Sequence, residues 1–273
     1  MLRTWIRLLA TGQHPRLRSA RRRKLLAPIK RKRTYEVLES RSLLATITWD
    51  GEVDGDWNNP VNWVGDIAPT AIDDAVIPDV AATPFVTITA NVSVNSITSD
   101  EAIEVSSGVS LSIAAASTFN VGLNLQSDSV VDGGAALTIS GVYSWNQPAE
   151  VDALVTNSTT GELTFNAAAL GTTLNTFTNQ GIADISQGSI LGATIENTSG
   201  AEIYLDSITF GGLGAITNSG TIYKTGTGAV EIATELSNSD GIIEVRSGTF
   251  SVTGVANDVV DHGGGNVELA DGD

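Results

Sequence analysis

The chain has 273 residues, enough for a large core, with 28 Gly, 5% aromatic residues and no Cys, which excludes disulfide staples and thiolate chemistry. Its charge is split. Residues 1–45 hold 13 of the 15 Lys and Arg against two Glu, a net of +11, whereas residues 46–273 hold Lys224 and Arg246 against 29 Asp and Glu, a net of −27. So acidic a body repels phosphate and has no aromatic-studded basic face, which argues against nucleic acid as a partner. No run approaches the ~20 apolar residues of a membrane-spanning helix, so no transmembrane segment is expected.

Residues 1–45 read as a basic, mostly disordered targeting or export segment. Residues 1–34 carry no acid and include the blocks Arg21 to Lys24 and Lys30 to Arg33. Their acid-poor, Arg-rich composition resembles an organelle transit peptide, and the double Arg before Leu25 and Leu26 resembles a twin-arginine signal. Lys30 to Arg33 stands where the apolar core of such a signal belongs. The stretch Leu38-Glu39-Ser40-Arg41-Ser42-Leu43-Leu44 resembles the L-E-P-R-x-L-L motif of large exported bacterial proteins, with Ser40 in place of Pro. In that family the motif follows a basic segment and precedes an extracellular β-rich body. The resemblance implies export, to the extracellular space or the cell surface.

Residues 46–80 read as a Trp-rich cap. Trp49, Trp57 and Trp63 fall among turn formers, in the order W-D-G…G-x-W-x-N-x-x-N-W. That order resembles the opening segment of bacterial surface β-helices, including autotransporter-like passengers. A solenoid exposes the apolar end of its first coil and needs a terminal plug, which three indoles can supply. The alternative use of these rings is sugar stacking from an exposed face. The same segment holds half of a calcium-loop motif, Asp50-Gly51-Glu52-Val53-Asp54-Gly55, with Val61 where the bidentate Glu belongs. Asp50, Asp54 and Asp56 are therefore the Ca²⁺ candidates, with Asp73 and Asp74 as a looser extension. Solvated turn aspartates are the plain alternative, and no other cofactor is expected.

Residues 81–258 read as coils of a solenoid. From 81 to about 147, half-buried strand patterns such as Val86 to Thr89 and Val109 to Ile113 alternate with Gly turns. The corner-like stretch Gly141 to Pro148 suggests an aromatic cover. From Asn157 onward the pattern settles: Asn157 with Gly161, Asn179 with Gly181, Asn197 with Gly200, Asn218 with Gly220, Asn238 with Gly241. The glycines lie 20, 19, 20 and 21 residues apart, each followed by an apolar-alternating run. A fixed period near 20 marks a repeat whose unit buries its apolar face only against its neighbours. The expectation is an all-β, parallel, right-handed β-helix with coils of about 20 residues, Gly at positive φ at the corners, and Asn side chains bonded along the stack. The run from Gly220 through Lys224-Thr225-Gly226 and Gly228 to Asn238, Gly241 and Ser247 to Phe250 resembles autotransporter-associated repeats. Residues 259–273 read as a polar, Gly-rich tail.

Catalytic constellations are thin. The two His, His14 and His262, lie in the two tails, which leaves no Ser-His-Asp arrangement and no zinc set. The enzyme alternative is a polysaccharide-cleaving β-helix, a lyase or glycosidase, with Asp184, Glu202 and Asp206 brought together by stacking and Lys224 or Arg246 as the base. A carbohydrate-binding module is a further alternative. Acids also coat any solvated face, and Lys224 suits a corner with its stem buried. The reading preferred from sequence is a non-catalytic module for adhesion, matrix or coat structure, with cell-surface glycans or other surface proteins as partners.

Overall fold

A computed structural model describes residues 44–80, 85–146, 148–166, 172–238, 240–254, 256–257 and 266–269. The chain divides into two units, Met1–Arg41 and Ser42–Asp273, and all that follows concerns the second. The basic segment, apart from its last two residues, lies outside the described residues.

The described body is a β-solenoid of about eight turns, in which every pairing between named strands is parallel and joins one coil to the next. One 3₁₀ turn, Pro60–Asn62, is the helix described. Each coil contributes to three faces. The first is built from strands such as Ser96–Ser99, Thr194–Asn197 and Ala215–Asn218. The second holds Ala102–Val105, Thr221–Lys224 and Ile242–Val245. The third holds Ser110–Ile113, Ala229–Ile232 and Thr249–Val252. Longer strands such as Glu202–Gly211 run around a corner and serve two faces.

Alternation decides which side chains point inward, because successive side chains leave a strand on opposite sides. In Thr194–Asn197, Ile195 and Asn197 are buried while Thr194 and Glu196 face solvent. The inward residues, from Ala75 and Ile77 to Phe250 and Val252, form one continuous apolar core. Tyr143 and Trp145, expected as an aromatic cover, fill the interior instead. Both are buried, and Trp145 meets Phe165 edge-on at 5.4 Å while its indole N–H donates to the Leu123 carbonyl at 2.9 Å.

One inward column is polar. In the early coils it holds Ile77, Ser99, Phe119 and Ile139, matched by register. From Asn157 it changes to Asn179, Asn197, Asn218 and Asn238, all buried. Each Nδ2 donates to the next Oδ1, at 2.7, 2.9, 2.7 and 2.5 Å. The lower four also donate to a carbonyl on the coil above: Ile182, Glu202, Thr221 and Ile242. The Tyr143 hydroxyl donates to Asn157 Oδ1 at 2.9 Å and closes the lower end of the ladder. Burial there pushes the Tyr143 phenol pKa up, which keeps it a donor.

The corner after each asparagine differs from expectation in two ways. By register, Gly161 sits under Gly181, and Gly181 under Ala201, not Gly200. Gly200 is an extra turn residue at φ +84°, closed by the Ala201 N–H to Thr198 carbonyl bond. The column of Gly161, Gly181, Gly220 and Gly241 carries no positive φ. At these four positions, though not at Ala201 in the same column, the space a Cβ needs is taken by a neighbouring coil or an asparagine amide. A Cβ on Gly220 would strike the Ala201 carbonyl oxygen, and one on Gly161 would strike the Asn157 amide. The chain from asparagine to corner residue varies in length, four residues for Asn157 and Asn197, two for Asn179 and three for Asn238. The corner absorbs that variation, so the strands on either side keep register.

Two further placements refine the segment boundaries. Thr46–Thr48 pairs with Asp74–Ile77 as the first rung of the first face. Within the segment read as a polar tail, Asn266–Leu269 is a strand paired with Thr249–Val252, with Val267 opposite Phe250.

Replacing Asn197 with Ala orphans a buried donor below and an acceptor above, and is expected to cost about 2–3 kcal/mol. Gly220→Ala forces two backbones apart and is expected to cost about 1–3 kcal/mol. Thr217→Ala, on the outward side of Ala215–Asn218, the rung above Asn197, is expected to stay within about 0.5 kcal/mol. Urea midpoints of the three variants check this ranking, and equal midpoints for Asn197→Ala and Thr217→Ala would contradict it.

Candidate functional site

The outward side chains of the second face bring aromatic and charged groups into contact. Register aligns Asp184, Tyr204, Tyr223 and Glu244 in one column across four coils. Tyr204 and Tyr223 stack, with centroids 5.0 Å apart and rings 25° from parallel. Arg246, just past the strand Ile242–Val245, reaches back and sets its guanidinium 4.1 Å from the Tyr223 ring centroid. Glu244 fixes that guanidinium through two hydrogen bonds, at 2.8 and 3.3 Å. A parallel stack forces this arrangement, since like positions on successive coils lie only ~4.8 Å apart and aligned rings must meet.

Asp184, Glu202 and Asp206 are each tied within this face. The Tyr204 hydroxyl donates to Glu202 at 2.6 Å, and this bond, with some burial, pushes the phenol up to about 12. Asp184 accepts from the Ser186 hydroxyl. Asp206 accepts from the Gly228 N–H at 3.1 Å and lies 3.7 Å from the Lys224 ammonium. By register Asp184 opposes Tyr204, so Glu202 and Asp206 flank it diagonally, two residues to either side. Glu202 and Asp206 are four residues apart on one strand, ~13 Å by strand rise. That exceeds the ~5–10 Å between the carboxylates of a glycosidase pair, whereas each of the two lies diagonally across from Asp184, at a ~7–8 Å spacing that falls within it.

Lys224 is wholly buried, between Leu205 below and Val245 above in the inward column. Its ammonium reaches the corner, still buried, where it donates to the Gly226 carbonyl and faces Asp206. The stem serves as core and the head as a corner clamp, as its place before the Thr225-Gly226 turn suggested.

In the cap, the structure does not gather the calcium candidates into a ligand set. Among the described residues, no group of three acids or His could hold a metal ion. Asp54 accepts from the Asp56 N–H and from the amides of Asn59 and Asn62. Asp56 accepts from the Asn58 N–H and the Thr89 hydroxyl, while one Asp50 oxygen is buried without a partner. Asp73 binds the N–H and hydroxyl of Thr70, and Asp74 binds Ser96 and Asn95. The carboxylates of Asp54 and Asp56 act as turn anchors, each accepting the backbone N–H two residues on. The three indoles are buried, with Trp63 edge-on to Trp49 at 5.0 Å and to Trp57 at 4.7 Å, so none offers an exposed face to a sugar.

The stacked tyrosines escaped the sequence reading, although Ile-Tyr recurs at 203–204 and 222–223 after successive corners. Inward alternation is written along one strand, whereas the meeting of outward residues depends on the register between coils. The first face carries a second unforeseen column, the outward Thr98, Thr118, Thr138, Thr156 and Thr178. No protein-family model, curated protein or solved structure matches the chain.

Hydrogen bonds hold Asp54, Asp73 and Asp74 below their usual pKa: the Asp56 N–H first for Asp54, the Thr70 hydroxyl for Asp73, the Ser96 hydroxyl for Asp74. A carboxylate lowered in the folded state contributes stability above the unfolded pKa, about 3.9, and loses it as pH falls through the folded value. The cap is therefore expected to melt earlier at pH 3 than at pH 6, read by Trp fluorescence, with a smaller pH effect in Asp74→Asn. For the corner clamp, Lys224→Met is expected to match or exceed the parent's thermal stability, because the ammonium's desolvation is relieved. Asp206→Ala strands that ammonium and is expected to cost about 1 kcal/mol, solvent screening at this half-exposed partner limiting the loss. Thermal melts of the two variants check the opposite signs.

Proposed function

We propose that the chain is a non-catalytic extracellular or cell-surface β-helical module, used in adhesion, matrix or coat structure. One observation carries the non-catalytic part. The acids a polysaccharide-cleaving site would need, Asp184, Glu202 and Asp206, are each bonded within their own face, to Ser186, to Tyr204, and to Gly228 with Lys224. Carboxylates bonded in this way brace an outer surface. What the stack offers outward is long columns of like side chains at regular rise, a geometry suited to an extended contact surface. The motif at Leu38 to Leu44, the basic block before it and the acidic body after it support export.

Two measurements test the reading. Cells expressing the full chain should carry the body outside the cytoplasm, and cells expressing a version without residues 1–45 should retain it. Equal cytoplasmic retention of both would remove the export part. Incubation with polygalacturonate and neutral glycans should release no new reducing ends. Activity that disappears in Asp184→Ala would replace this proposal with the enzyme one.

A further inference from the structure

Tyr204 and Tyr223, with the Arg246 guanidinium laid over Tyr223, form a cation–π stack with an unequal pair of ends. At the upper end, Tyr223 is covered on one side by Tyr204 and on the other by the Arg246 guanidinium, itself gripped by Glu244. At the lower end, Tyr204 meets Tyr223 on one side, and among the described residues no further ring or cation is placed against it. The rung beneath it is Asp184, a short side chain whose carboxylate accepts from Ser186, and Glu202 lies two residues away on the strand of Tyr204 itself, its Oε2 accepting from the Tyr204 hydroxyl. The lower end thus repeats the elements of the upper one, a tyrosine ring with carboxylates beside it, and lacks the guanidinium.

From this asymmetry we infer that the lower end of the stack is a docking seat for an arginine side chain of a partner polypeptide. Resting on the surface-module reading only for the idea that this face makes contacts, it assigns the ligand chemistry. A guanidinium is favoured because its planar face lies on an aromatic ring while its edge reaches a carboxylate. The chain itself places Arg246 in that way on Tyr223 and Glu244. Charge favours the same occupant: residues 46–273 carry a net of −27, and Lys224 and Arg246 are already engaged with Asp206 and Glu244.

The experiment measures binding of a labelled Gly/Ser peptide bearing a pair of arginines to the full chain, by fluorescence anisotropy at low and moderate salt. Asp184→Asn and Tyr204→Leu are each expected to weaken binding about threefold or more, while Tyr204→Phe, which keeps the ring, retains parent affinity. Glu231→Gln removes the same unit of charge from the exposed third face and is expected to change affinity less than about 1.5-fold. A lysine version of the peptide should bind more weakly than the arginine one. The proposal is overturned if Glu231→Gln and Asp184→Asn weaken binding equally, which would mean diffuse acidity alone. It is also overturned if Tyr204→Phe loses binding, or if a glucosamine oligomer binds while the arginine peptide does not. Melting curves confirm that each variant is folded, and because the readout is affinity, the result is separate from cellular location and glycan cleavage.

Discussion

A buried row of amides governs the later half of this molecule. From Asn157 to Asn238 each side chain gives a proton to the next and takes one from the last, inside a core otherwise apolar. An unpaired amide in that position costs about 1–3 kcal/mol, so the row is favourable only when complete. Completion demands that successive coils lie in one register and that both ends be closed. Tyr143 closes the lower end. Below it the same position is apolar at Ile139 and Phe119, where no partner is needed. The ladder therefore specifies alignment, while burial of the apolar columns supplies most of the driving force.

The corners follow from that alignment. Because the asparagines are tied to each other and to the carbonyls above them, the strands on either side cannot drift, and unequal segment lengths must be taken up between. Gly200 is such an inserted residue, held at positive φ. The glycines at 161, 181, 220 and 241 have a different cause. They stand where the carbonyl of the coil below, or an asparagine amide, occupies the space a side chain would need. Two physical requirements, left-handed backbone and close approach, call for the same residue and are indistinguishable by type alone.

Once inward positions are occupied by core and ladder, the outward ones stack whether or not they contribute stability. That is how threonines align on the first face and two tyrosines on the second. A parallel solenoid turns a single surface residue into a rung, and the chemistry of a face is the sum of its rungs. On the second face those rungs make a partly filled cation–π stack beside braced acids. The cap obeys a related logic, with three indoles turned inward to plug the first coil and the nearby aspartates spent on turns.

The repeat of Asn and Gly near every 20 residues, with apolar residues at alternate places, was enough to establish parallel coils and asparagines bonded along the stack, while the structure alone turned those asparagines inward. The corner role of Lys224 was legible too, from its place before a Thr-Gly turn. The tertiary structure decided the rest. It set Ala201 rather than Gly200 in the corner column, paired Tyr204 with Tyr223, turned Tyr143 and Trp145 inward, and separated the aspartates of the half-matched calcium motif into individual turns. All of these depend on which residue of one coil faces which of the next. That pairing is fixed by hydrogen bonds between residues about one coil apart, across corners of unequal length, and no local pattern encodes it.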